Sequence, residues 1–139
     1  MYSKLIFAGN LGRDPELRFL PSGQGVCNIN VASNRTYKDS NGQKVTEVTW
    51  YKVSVWGAMA EAVNQYLRKG SKVLIDGRLN PDPETGGPKV FIRNDGSAGS
   101  SYEVTASQVV FLSSKNEDNA YQPQQEDHFP DVDEDDIPF

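Results

Sequence analysis

Apolar residues in the first 112 positions recur with a two-residue period, in short runs separated by turn-forming residues. Residues 2–11 are rich in Leu, Ile and Phe and end in Gly9-Asn10-Leu11-Gly12, a strand running into a turn. Asp14-Pro15 and Pro21-Ser22-Gly23-Gln24-Gly25 are further turns, and Leu17-Arg18-Phe19-Leu20 between them is a short strand. In residues 26–33, Cys27, Ile29, Val31 and Ser33 alternate with Val26, Asn28, Asn30 and Ala32. One face is mostly apolar and the other mostly polar, which predicts a half-buried strand. Lys38-Asp39-Ser40-Asn41-Gly42 predicts a hairpin turn, because Asn-Gly accepts the positive φ of tight hairpins.

The next strand, residues 45–56, is the most informative. Val45, Tyr51, Val53 and Val55 share one parity and are predicted to face a core, whereas Trp50, Lys52, Ser54 and Trp56 share the other. Gly57 stops the run. Residues 58–69 carry the one convincing helical pattern, with Met59, Ala62, Val63, Tyr66 and Leu67 on one stripe and Gly70 predicted at the C-cap. Strands are predicted again over 71–79 and 102–112. The intervening 80–101 reads as loop-rich, with Pro81, Pro83, Gly86, Gly87 and Pro88 before Lys89-Val90-Phe91-Ile92-Arg93. Several strands, a lone helix after the third long one, and a long hairpin between the last two predict an all-β OB-fold, a five-stranded barrel. Another small barrel or sandwich would satisfy the strand count, but would not naturally place a lone helix there.

A length of 139 residues allows one ordinary domain. The net charge of −5 argues, read alone, against a nucleic-acid partner, but it hides an asymmetry. All 14 Lys and Arg lie in residues 1–115 with 10 acids, a net +4, and residues 116–139 hold nine acids and no Lys or Arg. Beyond Ser114 the composition turns to Asn, Gln, Asp, Glu and Pro, with too little apolar surface for a core. The expected layout is a domain over 1–112, a flexible polar linker over 113–130 and an acidic tip over 131–139, the linker and tip forming a disordered tail. The single cysteine, Cys27, has no disulfide partner and no metal-ligand spacing, and is predicted to be a small core residue. With no secretory leader and no apolar run near ~20 residues, the expectation is a cytoplasmic, nucleoid-associated protein.

Candidate chemistry begins with Trp50, Lys52 and Trp56. Large aromatics are usually buried, and packing against the helix or a neighbouring subunit would explain both indoles. Lys52 between them weighs against that, because a cation in a dry interior is costly. Aromatics interleaved with cations suit a ligand that offers both flat bases and phosphates, and base–aromatic stacking contributes ~1–3 kcal/mol per base whatever the sequence. Lys89, Phe91 and Arg93 repeat the design on one face of a short strand; a plain β-ribbon with Phe91 covering the barrel edge is the alternative. Arg35, Tyr37 and Lys38 form another cation–aromatic–cation cluster. Lys4, Arg13, Lys72 and Arg78 are scattered cations, solvated unless the fold gathers them at one groove. Gly9-x-x-Gly12 and Gly23-x-Gly25 open no helix and continue into no phosphate loop, so turn chemistry explains them. The sole histidine, His128, lies in the polar tail, and no carboxylate pairing is visible; no enzyme, metal or cofactor is expected. The terminus differs. Asp133, Asp135 and Asp136 precede Ile137, Pro138 and Phe139, and solubility alone does not call for exposed apolar residues there. Such a tip suits a peptide ligand, Phe139 entering an apolar pocket while the carboxylates meet a basic rim.

Together these features resemble the bacterial single-stranded DNA-binding protein family. The matching stretches are Gly9-Asn10-Leu11-Gly12-Arg13-Asp14-Pro15-Glu16-Leu17-Arg18, Asn28-Ile29-Asn30-Val31-Ala32, Thr49-Trp50-Tyr51-Lys52-Val53-Ser54-Val55-Trp56-Gly57, Tyr66-Leu67-Arg68-Lys69-Gly70-Ser71-Lys72-Val73 and Asp135-Asp136-Ile137-Pro138-Phe139. The resemblance implies sequence-independent binding of single-stranded DNA during replication, recombination and repair, and a homotetramer. It implies stacking aromatics at Trp50, Trp56 and, nearby, Tyr37, and a tip that recruits replication, recombination and repair proteins. Residues 80–101 depart from the family pattern, which usually carries an aromatic soon after the strand ending at Leu79; Phe91 is the candidate substitute. The linker is also short. An OB-fold RNA-binding factor, or an adaptor whose aromatics form a subunit interface, are the competing readings.

Overall fold

A computed structural model describes residues 1–113; the tip and nearly all of the linker lie outside the described residues. Seven strands and one helix follow in the order β1 (Leu5–Leu11), β2 (Glu16–Phe19), β3 (Gly25–Lys38), β4 (Lys44–Trp56), α1 (Ala58–Tyr66), β5 (Lys72–Asn80), β6 (Lys89–Ile92) and β7 (Ala98–Phe111). The pairing runs β1-β5-β7-β4-β3, and β1 returns to β3 through Asn10↔Ala32 and Leu11↔Val31. Five strands thus close on themselves with one helix after β4, which is the OB-fold. β2 adds to the outside of β3, and β6 pairs only with β7 as the long hairpin.

Alternation builds the core. Ile29, Val31, Val53, Val55, Val73, Ile75 and Val104 point inward from four strands and are fully buried. Ala60, Val63 and Leu67 of the α1 region close one end of the barrel, packing over β3 and β4. Ala60 is absent from the predicted stripe, and Tyr66, which is in it, is exposed. Val26, predicted on the polar face of β3, is buried as well. Cys27 is a core residue; burial, aided by the charge of Glu16, pushes its thiol up to about 11. Two glycines serve packing. A Cβ on Gly77 would run into the Thr105 carbonyl oxygen at the bulge between Asp76 and Gly77, and one on Gly9 into the Ala32 carbonyl oxygen.

Three boundaries differ from the sequence pattern, each for a tertiary reason. The helix ends at Tyr66, and Leu67 is already extended at φ −104°, ψ 150°. The following N–H groups find partners outside the helix: Arg68 donates to Ser71 Oγ (3.0 Å), Lys69 to Asp14 Oδ1 (2.9 Å) and Gly70 to the Leu11 carbonyl (2.8 Å). Gly70, with φ 91°, is the turn into β5 and not the helix C-cap. At the β3–β4 turn no two-residue Asn-Gly turn forms. Asp39 Oδ1 accepts the N–H groups of Asn41 and Gln43 (2.9 Å each) across a five-residue loop, and only Gly42 takes a positive φ. Finally, β7 begins at Ala98, inside the stretch predicted as loop, and the strand at Lys89 ends at Ile92. Gly99, Ser100 and Ser101 show no alternation and are strand because β6 pairs with them. The turn between is held by Asp95, whose Oδ1 accepts both the N–H and the O–H of Ser97, keeping its carboxyl below the usual range.

Candidate nucleic-acid interface

Inside the barrel wall, inward burial of Val53 and Val55 forces the alternate residues of β4 outward. Trp50 is 54% and Trp56 40% exposed, with Lys52 and Ser54 between them. Six residues of strand at ~3.3 Å each set the two indoles roughly 20 Å apart. Register places Ala32, Asn30, Asn28 and Val26 of β3 opposite Trp50, Lys52, Ser54 and Trp56. The floor between the tryptophans is therefore polar, and Ser54 Oγ donates to Asn28 Oδ1 (3.2 Å).

Beside this floor lies an open cleft of about 380 Å³, lined by Arg13, Arg18, Lys52 and Lys89, with Asn28 and Asn30 at its base. Glu16 and Glu103 also face it. Arg13 lies 3.9 Å from Glu16, and Lys89 Nζ 3.8 Å from Glu103, so two of the four cations are partly neutralised. Arg18 and Lys52 have no carboxylate within 4 Å among the described residues. The β6–β7 hairpin folds toward the cleft. Lys52 Nζ stands 5.1 Å from the centre of the Phe91 ring and Arg93 Cζ 5.4 Å, so one ring carries two cations. Arg93 is fixed there by donating Nη1 to the Ala98 carbonyl (2.7 Å). Gly99 makes room, because a Cβ on it would stand 2.7 Å from the Phe91 ring.

The other sequence candidates are distributed around the barrel. Outward row partners run Asn28, Ser54, Thr105 and Arg78 across β3, β4, β7 and β5. Arg78 thus continues the floor round the wall to a second hollow shared with Lys4. Lys4 is paired with Asp76 at 2.9 Å; that hydrogen bond and charge raise its ammonium pKa. Lys72 stands apart, where β5 meets Leu112 and Ser113. Arg35 and Tyr37 share a face, with the guanidinium 4.9 Å from the ring centre, and Arg35 Nη1 donates to Glu47 (3.4 Å). Their parity is that of Ile29 and Val31, opposite to Trp50, on the part of the β3–β4 ribbon that projects past the barrel. Sequence reading missed Arg18 and the Asn28–Asn30–Ser54 floor. They meet the tryptophans only through the register Arg18↔Val26↔Trp56, which the sequence of one strand does not contain.

No group of His, Cys, Asp and Glu among the described residues has the arrangement of a metal site, and no described helix is long and apolar enough to cross a membrane. Residues 2–112 match the profile of the Single-strand binding protein family. Proteins named single-stranded DNA-binding protein are similar to the chain: that of Wolinella succinogenes is 38% identical with both chains covered in full. That of Helicobacter hepaticus is 44% identical over 83% of this chain and 64% of its own length. That of Neisseria meningitidis serogroup A is 36% identical over 89% of this chain and 67% of its own.

Proposed function

Because the chain belongs to the single-strand binding protein family, we propose that it binds single-stranded DNA along the β4 face, by stacking on indoles and neutralising phosphates, without reading sequence. The family is one of binding proteins, and the chain is not an enzyme. The observation that carries the reading is the pair of outward indoles with Lys52 between them, beside a cleft of four cations. A strand laid there puts bases on Trp50 and Trp56 and backbone on Lys52, Arg18, Arg13 and Lys89, while Phe91, steadied by Arg93, offers a third ring. Stacking accepts every base, so affinity is independent of sequence. Beyond the barrel the strand reaches Tyr37 and Arg35 by crossing the edge of the projecting ribbon, and Arg78 and Lys4 by following the outward row. The protein thereby protects single strands during replication, recombination and repair.

The assembly is a homotetramer. Supporting it, Ala8, Leu74 and Val110 form an apolar row across β1, β5 and β7, with Ile6 and Leu112 exposed beside them, and β1 pairs with β3 at only two residues, leaving an edge. A second apolar surface, a dish of Leu5, Thr49, Tyr51, Leu79 and Tyr102, lies on the parity of the core and not of that row. The terminal Asp133, Asp135, Asp136, Ile137, Pro138 and Phe139 recruit replication, recombination and repair proteins, and the acidic tail competes with DNA for the cleft. The reading is tested with labelled dT and rU oligonucleotides of equal length and with a chain lacking residues 116–139. Tighter binding of dT than rU, and a further gain at low salt on removing the tail together with loss of partner capture, are expected. Preference for rU would assign the chain to RNA, and unchanged affinity without the tail would end the competition.

A further inference from the structure

The second glycine of Gly9-Asn10-Leu11-Gly12 has no backbone reason to be glycine, since Gly12 is not among the residues with positive φ. Its position is fixed: the Gly12 N–H donates to the Asn30 carbonyl (2.9 Å), and the neighbouring Leu11 is buried and donates to the Ser71 carbonyl. What distinguishes it is the space above its Cα. A Cβ there would stand 2.5 Å from Cζ3 and 2.7 Å from Cη2 of Trp50. The benzo edge of Trp50 therefore abuts the bare peptide where β1 turns toward β2. The small Ala32, opposite both Asn10 and Trp50, lies beneath the indole's path from β4 to that peptide. We infer that Gly12 is a positioning residue for DNA binding: by admitting the benzo edge of Trp50 it fixes the plane of that indole, and with it the ring face offered to a base. This rests on the stacking role proposed for Trp50.

The contact is with the far end of a half-exposed side chain, so a methyl at Gly12 displaces the ring without breaking the barrel. That separates positioning from folding. In a Trp56→Phe background Trp50 is the sole indole, since the chain has two. With Gly12 intact, acrylamide quenching of this indole should be about half that of a free tryptophan analogue; quenching equal to the analogue would overturn the seating, and needs no glycine variant. Gly12→Ala should leave the unfolding midpoint within a few degrees, shift the emission to the red, raise the quenching, and weaken dT oligonucleotide binding about fivefold or more. In a Trp50→Ala background the same glycine substitution should cost nothing further. An equal loss in both backgrounds, or unchanged emission and affinity, contradicts the assignment. If Trp50→Ala itself leaves binding intact, the stacking role fails instead, while the quenching result still reports the seat.

Discussion

The near and far halves of the β3–β4 ribbon follow one register without a break, from Val26↔Trp56 to Lys38↔Lys44, yet behave differently. In the near half, burial decides everything: Ile29, Val53 and Val55 go inward, so Lys52 and Trp56 must go outward. In the far half the ribbon has left the barrel, and both faces meet solvent. Val48 is half exposed on the face of Trp50, and Arg35 and Tyr37 are exposed on the other. Alternation thus predicts a binding face only where one side is already used up by a core. Where neither side is, it assigns residues to shared faces without saying which face a ligand touches.

Substitutions can break this contrast at several scales. The largest effect is on stability. Ile29→Ala should cost about 2–5 kcal/mol in urea unfolding, whereas Val48→Ala, on the same ribbon past the barrel, should stay within about 0.5 kcal/mol; similar losses at both would mean that the far half is packed. Next is affinity. Trp50→Ala should weaken dT oligonucleotide binding by about 1–3 kcal/mol, at low and high salt alike. Tyr37→Ala should cost less, about 1 kcal/mol, because Arg35 already occupies one side of its ring. No loss at Tyr37 would confine the strand to the Trp50 face. The smallest effect is on salt dependence. Lys52→Gln should reduce the slope of log affinity against log salt by about 0.7, one phosphate's worth. Arg35→Gln should change it less, because Glu47 already partners that guanidinium.

The barrel, its helix and the outward tryptophans are legible in the sequence because strict alternation in residues 26–33 and 45–56 has a single cause, burial of one side. The helix end is not legible. It depends on Asp14, over fifty residues away, taking the Lys69 N–H. Nor is the start of β7, where Gly99 and Ser100 have no pattern of their own and become strand by pairing with Phe91 and Val90. Arg18 reads as one cation in a short strand until register sets it one strand from Val26 and two from Trp56. Gly12 reads as a turn residue until the edge of the Trp50 ring is found against it. Local periodicity, in short, reports which side of a strand is wet, and contacts between distant strands report what the wet side is built to hold.

The central claim is that water-facing indoles on β4 take up unpaired bases. Titration of the native protein with poly-dT, followed by intrinsic tryptophan fluorescence, tests it most directly. Strong saturable quenching, with the remaining indole still quenched in each of the single variants Trp50→Phe and Trp56→Phe, is the predicted result. Tight binding of poly-dT with unchanged tryptophan emission would contradict it, because DNA would then be held without touching either ring.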